Sequence, residues 1–242
     1  GLILAGEHPD RAAGLVLIAP AVRVGVPRPP ERTPPGPFEA DLGIDEGWAR
    51  YNAHSWRRDY PGFLKFFFAQ VFNEPHSSKG IEDGVGWGLE TTAEVLAATV
   101  KAPGGPSSRE EVVALLEAVR CPTLMIHGTD DQIVPAHRSQ AIADITGGDL
   151  LLIDGGGHAP QGRHPVVVNR AVLDFVDRVT PPGQRVPRQV TRTRALARPK
   201  RVLYLSSPIG LGHARRDLAI ATELKKLHED VQIDWLAQHP VT

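Results

Sequence analysis

Cysteine is nearly missing from this sequence, with Cys121 alone, and methionine is represented by Met125 alone. One cysteine can make neither an intramolecular disulfide nor a cysteine-based zinc site. That fits a reducing compartment, and a cytoplasmic location is expected. An excess of charge of one sign is missing too. The 27 Lys and Arg stand against 28 Asp and Glu, for a net charge of −1, so no whole-chain positive field exists to hold nucleic acid or an anionic membrane. Nucleic-acid binding is therefore not expected. The longest apolar run, Gly14 to Val22, falls far short of the roughly 18 residues that span a bilayer, and no integral membrane segment is expected. Metal-ligand spacing is absent as well: no H-x-x-x-H or H-E-x-x-H occurs, and no metal is expected. The first residue, Gly1, stands directly inside an apolar stretch with no initiator methionine or signal peptide before it. The chain reads as a piece of a longer protein.

What is present reads as an α/β protein. A helix end at Gly1–His8 and a turn at Pro9-Asp10 lead into the apolar run Gly14–Ala19, read as a buried strand. Residues 23–41 carry many prolines and glycines, which exclude regular structure and imply a long excursion. Between Phe38 and Trp87 lie eleven of the fourteen aromatics, a concentration that predicts a helical, aromatic-rich layer. A helix over 107–119 opens with Ser108 as N-cap and places Val112, Leu115, Leu116 and Val119 on one stripe. The strand 122–127, the helix 135–145 and a second buried strand, 150–153, follow, and this order predicts a parallel pair. A last helix opens at Pro165 with apolar residues at helical spacing. Residues 179–199 are rich in Pro and Arg and read as a basic linker. Beyond them strand 201–206, loop 208–212, helix 214–228 and strand 231–236 make a second, short βαβ unit.

Chemistry concentrates in two loops. Asp131 lies just past one predicted parallel strand and His158 just past the next, so both stand at the carboxyl edge where open α/β sheets place their sites. Adjacent strands lie roughly 4.8 Å apart, so a carboxylate there reaches the imidazole Nδ1–H, fixes the tautomer, and leaves Nε2 as a general base. The step of 27 residues from Asp131 to His158 is what a turn, a three-turn helix and a strand consume.

These residues carry a resemblance. Pro122-Thr-Leu-Met-Ile-His-Gly-Thr-Asp-Asp-Gln-Ile-Val-Pro135 and Gly155-Gly-Gly-His-Ala-Pro160 resemble the acid and histidine segments of the α/β-hydrolase fold. Glu7-His-Pro-Asp-Arg-Ala-Ala-Gly-Leu-Val-Leu-Ile18 is similar to the stretch after its nucleophile. The resemblance covers about residues 1–178 and implies the C-terminal part of such a sheet, with a lid over about 23–106. It implies Asp131 as orienting acid, ahead of Asp130, and His158 as base of a Ser-Asp-His triad acting on an ester or acyl substrate without a cofactor. No G-x-S-x-G occurs; the nucleophile is expected upstream of Gly1 and the piece alone is expected to be inactive. In the lid, Trp48, Trp56, Phe66, Phe67 and Phe68 are candidates to contact an apolar or acyl portion of a small-molecule substrate, or to pack the lid on itself.

A second resemblance lies in the tail. Ser206-Ser-Pro-Ile-Gly-Leu-Gly-His-Ala-Arg-Arg-Asp-Leu-Ala-Ile-Ala221 resembles the opening of GT-B glycosyltransferases, implying a truncated Rossmann-like start over 200–242 with His213 as acceptor base. A nucleotide-sugar donor would bind outside this chain. The expected parent is thus a bifunctional hydrolase and glycosyltransferase. The alternative is a glycosyltransferase whose hydrolase-like part only binds the acceptor or serves as scaffold.

Overall fold

The structure, a computed structural model, describes residues 1–102, 105–106, 108–181, 183, 201–206 and 211–237. The chain forms two compact units, within 1–185 and 186–242. The first holds α1 (Leu2–Glu7), β1 (Leu15–Ile18), α2 (Ala53–Arg58), α3 (Tyr60–Val71), α4 (Ser78–Gly88), α5 (Ala93–Lys101) and α6 (Arg109–Ala118). After them come β2 (Thr123–Gly128), α7 (His137–Thr146), β3 (Asp149–Ile153), α8 (Pro160–Arg163) and α9 (Pro165–Val179).

The three strands form a parallel sheet in the order β1-β2-β3, with Ile18 opposite Ile126 and Gly128 opposite Ile153. All six residues of central β2 are buried, as its unbroken apolar run requires of a strand covered on both faces. Because side chains alternate, Met125 enters the cluster with Val112, Leu116 and Ile142 of α6 and α7. Leu124 and Ile126 enter the opposite one, with Val168 and Phe175 of α9. The helix α6 starts as its sequence requires: Ser108 accepts from the Glu111 amide and the Glu111 side chain accepts from the Ser108 amide, a closed capping box.

One reading needs correction. β3 is not a buried strand: Ile153 is enclosed, but Leu150 and Leu151 are half-buried and Leu152 is exposed, because β3 has a strand on one side only within this sheet. Trp56 packs within the lid. It is 1% exposed, 4.9 Å from the ring of Phe38, 5.3 Å from Tyr51 and 4.6 Å from Phe63. Aromatic rings in edge-on and tilted contact satisfy one another's quadrupoles, and here that closes the lid on itself. The proline-rich excursion is tied to it by buried Asn52, which caps α2 and donates to the carbonyls of Pro37, Phe38 and Ala40.

In the second unit β4 (Arg201–Ser206) pairs in parallel with β5 (Gln232–Ala237), and α10 (Leu211–Leu227) connects them. The helix begins within the stretch read as a loop. His213 falls in its first turn, and its side chain lies outside the described residues, as do nearly all of the basic linker and residues 207–210 of the glycine-rich stretch.

Candidate active site

The two loops are built by their strands. After Gly128 the pairing continues one step past β2 and β3: the Thr129 amide donates to Ile153 O at 3.0 Å and the Asp130 amide to Gly156 O at 2.9 Å. Gly155 takes a φ of +65°, which only glycine adopts without strain, and its amide donates to Thr129 Oγ1. So zipped, the loops bring Asp131 and His158 together. His158 Nδ1 lies 2.8 Å from Asp131 Oδ2, with the Asp131 side chain fully buried and that of His158 24% exposed. Nε2 makes no hydrogen bond among the described residues, so its lone pair is free for a proton.

Asp131 is saturated. Its Oδ1 accepts from the Ile133 and Val134 amides at 2.7 and 2.8 Å, and Oδ2 accepts from His158 and also from His127 Nε2 at 3.0 Å. Burial is the strongest single influence on this carboxyl and pushes it up. The hydrogen bonds from His127 and His158, the charge of His158 and the Val134 amide together outweigh it and hold Asp131 well below the usual carboxylate range. Neighbouring Asp130 is different: it is exposed and bonded to Asn73 and Gln132. Of the two adjacent acids, Asp131 is the one that meets the imidazole.

The lid clamps both loops. Asn73 donates to Asp130, Glu74 Oε1 accepts from the Gly157 amide at 2.8 Å, and Arg163 donates to Pro75 O. Trp48 and the half-buried Phe66, Phe67 and Phe68 join the apolar cluster of Ile133, Val134 and Ala159 that underlies this clamp. Phe67 and Phe68 also line, with Trp56, Tyr51, Tyr60 and Phe63, a cavity of about 200 Å³ inside the lid. Neither Asp131 nor His158 lines that cavity.

Sequence reasoning passed over His127, which is fully buried. It lies four residues before Asp131, and its Nδ1 is 2.6 Å from Ser139 Oγ. Ser139, His127 and Asp131 thus form a chain that mimics a triad, but Ser139 is 0% exposed, so no substrate reaches it and it is not the nucleophile. Among the described residues no group of three or more His, Cys, Asp or Glu could hold a metal ion, and no helix is long and apolar enough to cross a membrane.

A parallel sheet with an acid after one strand, an imidazole after the next and a helical lid over both defines a hydrolase-type α/β architecture. The chain belongs to the alpha/beta hydrolase family, whose model matches residues 1–171. It is 37% identical over 166 residues to RutD of Variovorax paradoxus, a protein named for carbamate hydrolysis, covering 60% of this chain and 59% of that one. The chain therefore spans less than two thirds of this relative. Among solved structures it is similar to a thermophilic esterase from Thermogutta terrifontis, with a TM-score of 0.53 and 27% identity over 74% of this chain and 60% of that one. A hydrolase from Oleispira antarctica shares the fold at a TM-score of 0.55 and 19% identity, over 73% of this chain and 60% of that one.

Proposed function

We propose that the protein hydrolyses a small ester, carbamate or related acyl compound with Asp131 as orienting acid, His158 as general base, and a serine supplied by residues before Gly1. The observation that carries this reading is the 2.8 Å contact between His158 Nδ1 and a fully buried Asp131 carboxylate, with Nε2 left open. In that arrangement Nε2 takes the serine proton as oxygen attacks the acyl carbon, and returns it to the leaving group. Asp131 stabilises the imidazolium formed between those steps. Support for the substrate class comes from RutD of Variovorax paradoxus, named for carbamate hydrolysis, and from the Thermogutta terrifontis esterase.

The test uses a fluorophosphonate, which labels only an activated serine. The gene product extended upstream of Gly1 is expected to be labelled on a serine within G-x-S-x-G. The 242-residue chain, which has no such frame, is expected to stay unlabelled and to hydrolyse no p-nitrophenyl ester. An extended protein that resists labelling and turns over neither an ester nor a carbamate overturns the reading in favour of a non-catalytic scaffold.

The clamp makes a separate prediction. A β-carbon on Gly157 would collide with Asn73 Oδ1 and press on Glu74 Oε2 and the Val71 carbonyl, each 3.1 Å away. Asn73 must give way, and with it the bonds to Asp130 that clamp the loop, so Gly157→Ala is expected to lower kcat/KM of the extended protein by up to about 100-fold. Steady-state kinetics with circular dichroism as a fold control checks this.

For the second unit we propose the start of a glycosyltransferase acceptor domain with His213 as base, its nucleotide-sugar donor bound elsewhere. Support is the parallel β4–α10–β5 arrangement and the position of His213 in the first turn of α10.

A further inference from the structure

We infer that His127 is a positioning residue for the pair Asp131–His158: a neutral imidazole, held in its Nε2–H tautomer by Asp131 and the Val134 carbonyl, that donates to the same carboxylate oxygen as His158. This rests on reading Asp131 as the orienting acid of the proposed hydrolase.

The hydrogen positions follow from the partners. His127 Nε2 faces two oxygens that can only accept, Asp131 Oδ2 at 3.0 Å and the Val134 carbonyl at 3.1 Å, so Nε2 carries a hydrogen and donates it. The opposite nitrogen, Nδ1, faces the Ser139 hydroxyl at 2.6 Å. A hydroxyl both donates and accepts, and when it donates to Nδ1 the ring is satisfied at both ends while uncharged. The whole chain is sealed: His127 and Ser139 are 0% exposed and Asp131 is 2% exposed.

Neutrality decides the effect on catalysis. An imidazolium at His127 would set a positive charge against Asp131 and cancel the negative charge that His158 needs when it takes up the serine proton. A neutral donor orients the carboxylate and fills its fourth acceptor position, yet leaves its charge to His158. Without His127, Oδ2 would retain one buried, unmet lone pair and the carboxylate could swing. Other charged groups surround the site. Arg32 donates to the Asp131 backbone carbonyl, Asp130 is bound by Asn73 and Gln132, Glu74 holds the Gly157 amide, and Arg138 on α7 donates to Val26 O. None of these hydrogen-bonds to the His127 ring.

The test reads ring nitrogens rather than turnover, so it uses the 242-residue chain itself. With ¹⁵N-labelled histidine, long-range ¹H–¹⁵N spectra are recorded near neutral pH. His127 is expected to show a protonated Nε2 and a bare Nδ1, and His158 a proton on Nδ1. Ser139→Ala is expected to move the His127 Nδ1 resonance. His127→Gln keeps a neutral N–H donor and is expected to leave the His158 resonances in place. His127→Leu removes the donor, makes Asp131 a stronger acceptor for His158 alone, and is expected to move the His158 Nδ1 resonance. A charged or Nδ1–H His127 near neutral pH overturns the inference, and so does a His127→Leu chain whose His158 signals do not move. Should the leucine variant fail to fold, the wild-type tautomer and the Ser139→Ala shift still decide. Failed fluorophosphonate labelling would overturn the hydrolase reading without altering these spectra, so the two can fail separately.

Discussion

Asp131→Asn in the extended protein is expected to lower kcat for ester hydrolysis by about 10⁴-fold, with little change in KM. The reason lies in the four hydrogen bonds that converge on this carboxylate. Asparagine keeps one oxygen for the Ile133 and Val134 amides, so the turn after β2 persists and the variant folds. Its NH₂ then replaces Oδ2 and points donors at two ring nitrogens, His158 Nδ1 and His127 Nε2. His158 can accept such a donor only by moving its own hydrogen to Nε2, which removes the lone pair that must take the serine proton. Turning the amide over is no escape, since the NH₂ would then face two backbone N–H groups. Steady-state kinetics measures the loss, and a ¹⁵N spectrum of His158 in the variant shows the tautomer change that causes it.

The same variant carries a pH signature. Asp131 is held below the usual carboxylate range in the folded protein, so its contribution to stability is complete above its unfolded value and is lost as pH falls through the folded one. Urea midpoints of the wild type are therefore expected to fall more steeply on acidification than those of Asp131→Asn.

Much of this arrangement is legible in the sequence, because the features concerned are local or periodic. The run Thr-Leu-Met-Ile-His before Gly128 admits only a buried strand, Ser108 with Glu111 announces a helix start, and the spacing from Asp131 to His158 is that of one α/β step. What the sequence leaves open depends on contacts between distant segments. Composition collects the aromatics of the lid but does not say which way each ring points, and Trp56 turns inward because Phe38, Tyr51 and Phe63 surround it. The Asn73 and Glu74 clamps join positions 57 and 83 residues apart and leave no periodic trace. His127 could have been noticed from its place four residues before Asp131. That spacing is meaningful only once the turn after β2 is known to fold the acid back beside the strand end. The exposure of Leu152 depends on which strands pair, which no single apolar run specifies.

The central claim is that His158, held by Asp131, moves the proton of the reaction. His158→Ala in the extended protein tests it most directly. Removing the base leaves the serine hydroxyl un-ionised at neutral pH, because the other imidazole that hydrogen-bonds Asp131 among the described residues, that of His127, is 0% exposed and committed to Ser139. The expected result is a fall of about 10⁶-fold in kcat for a p-nitrophenyl ester. Added free imidazole, which fits the space vacated above Asp131, is expected to restore part of that rate and to saturate. An alanine variant that keeps its rate within about tenfold of the wild type would contradict the account, since the 2.8 Å contact between His158 and Asp131 would then be a structural bond and not the catalytic pair.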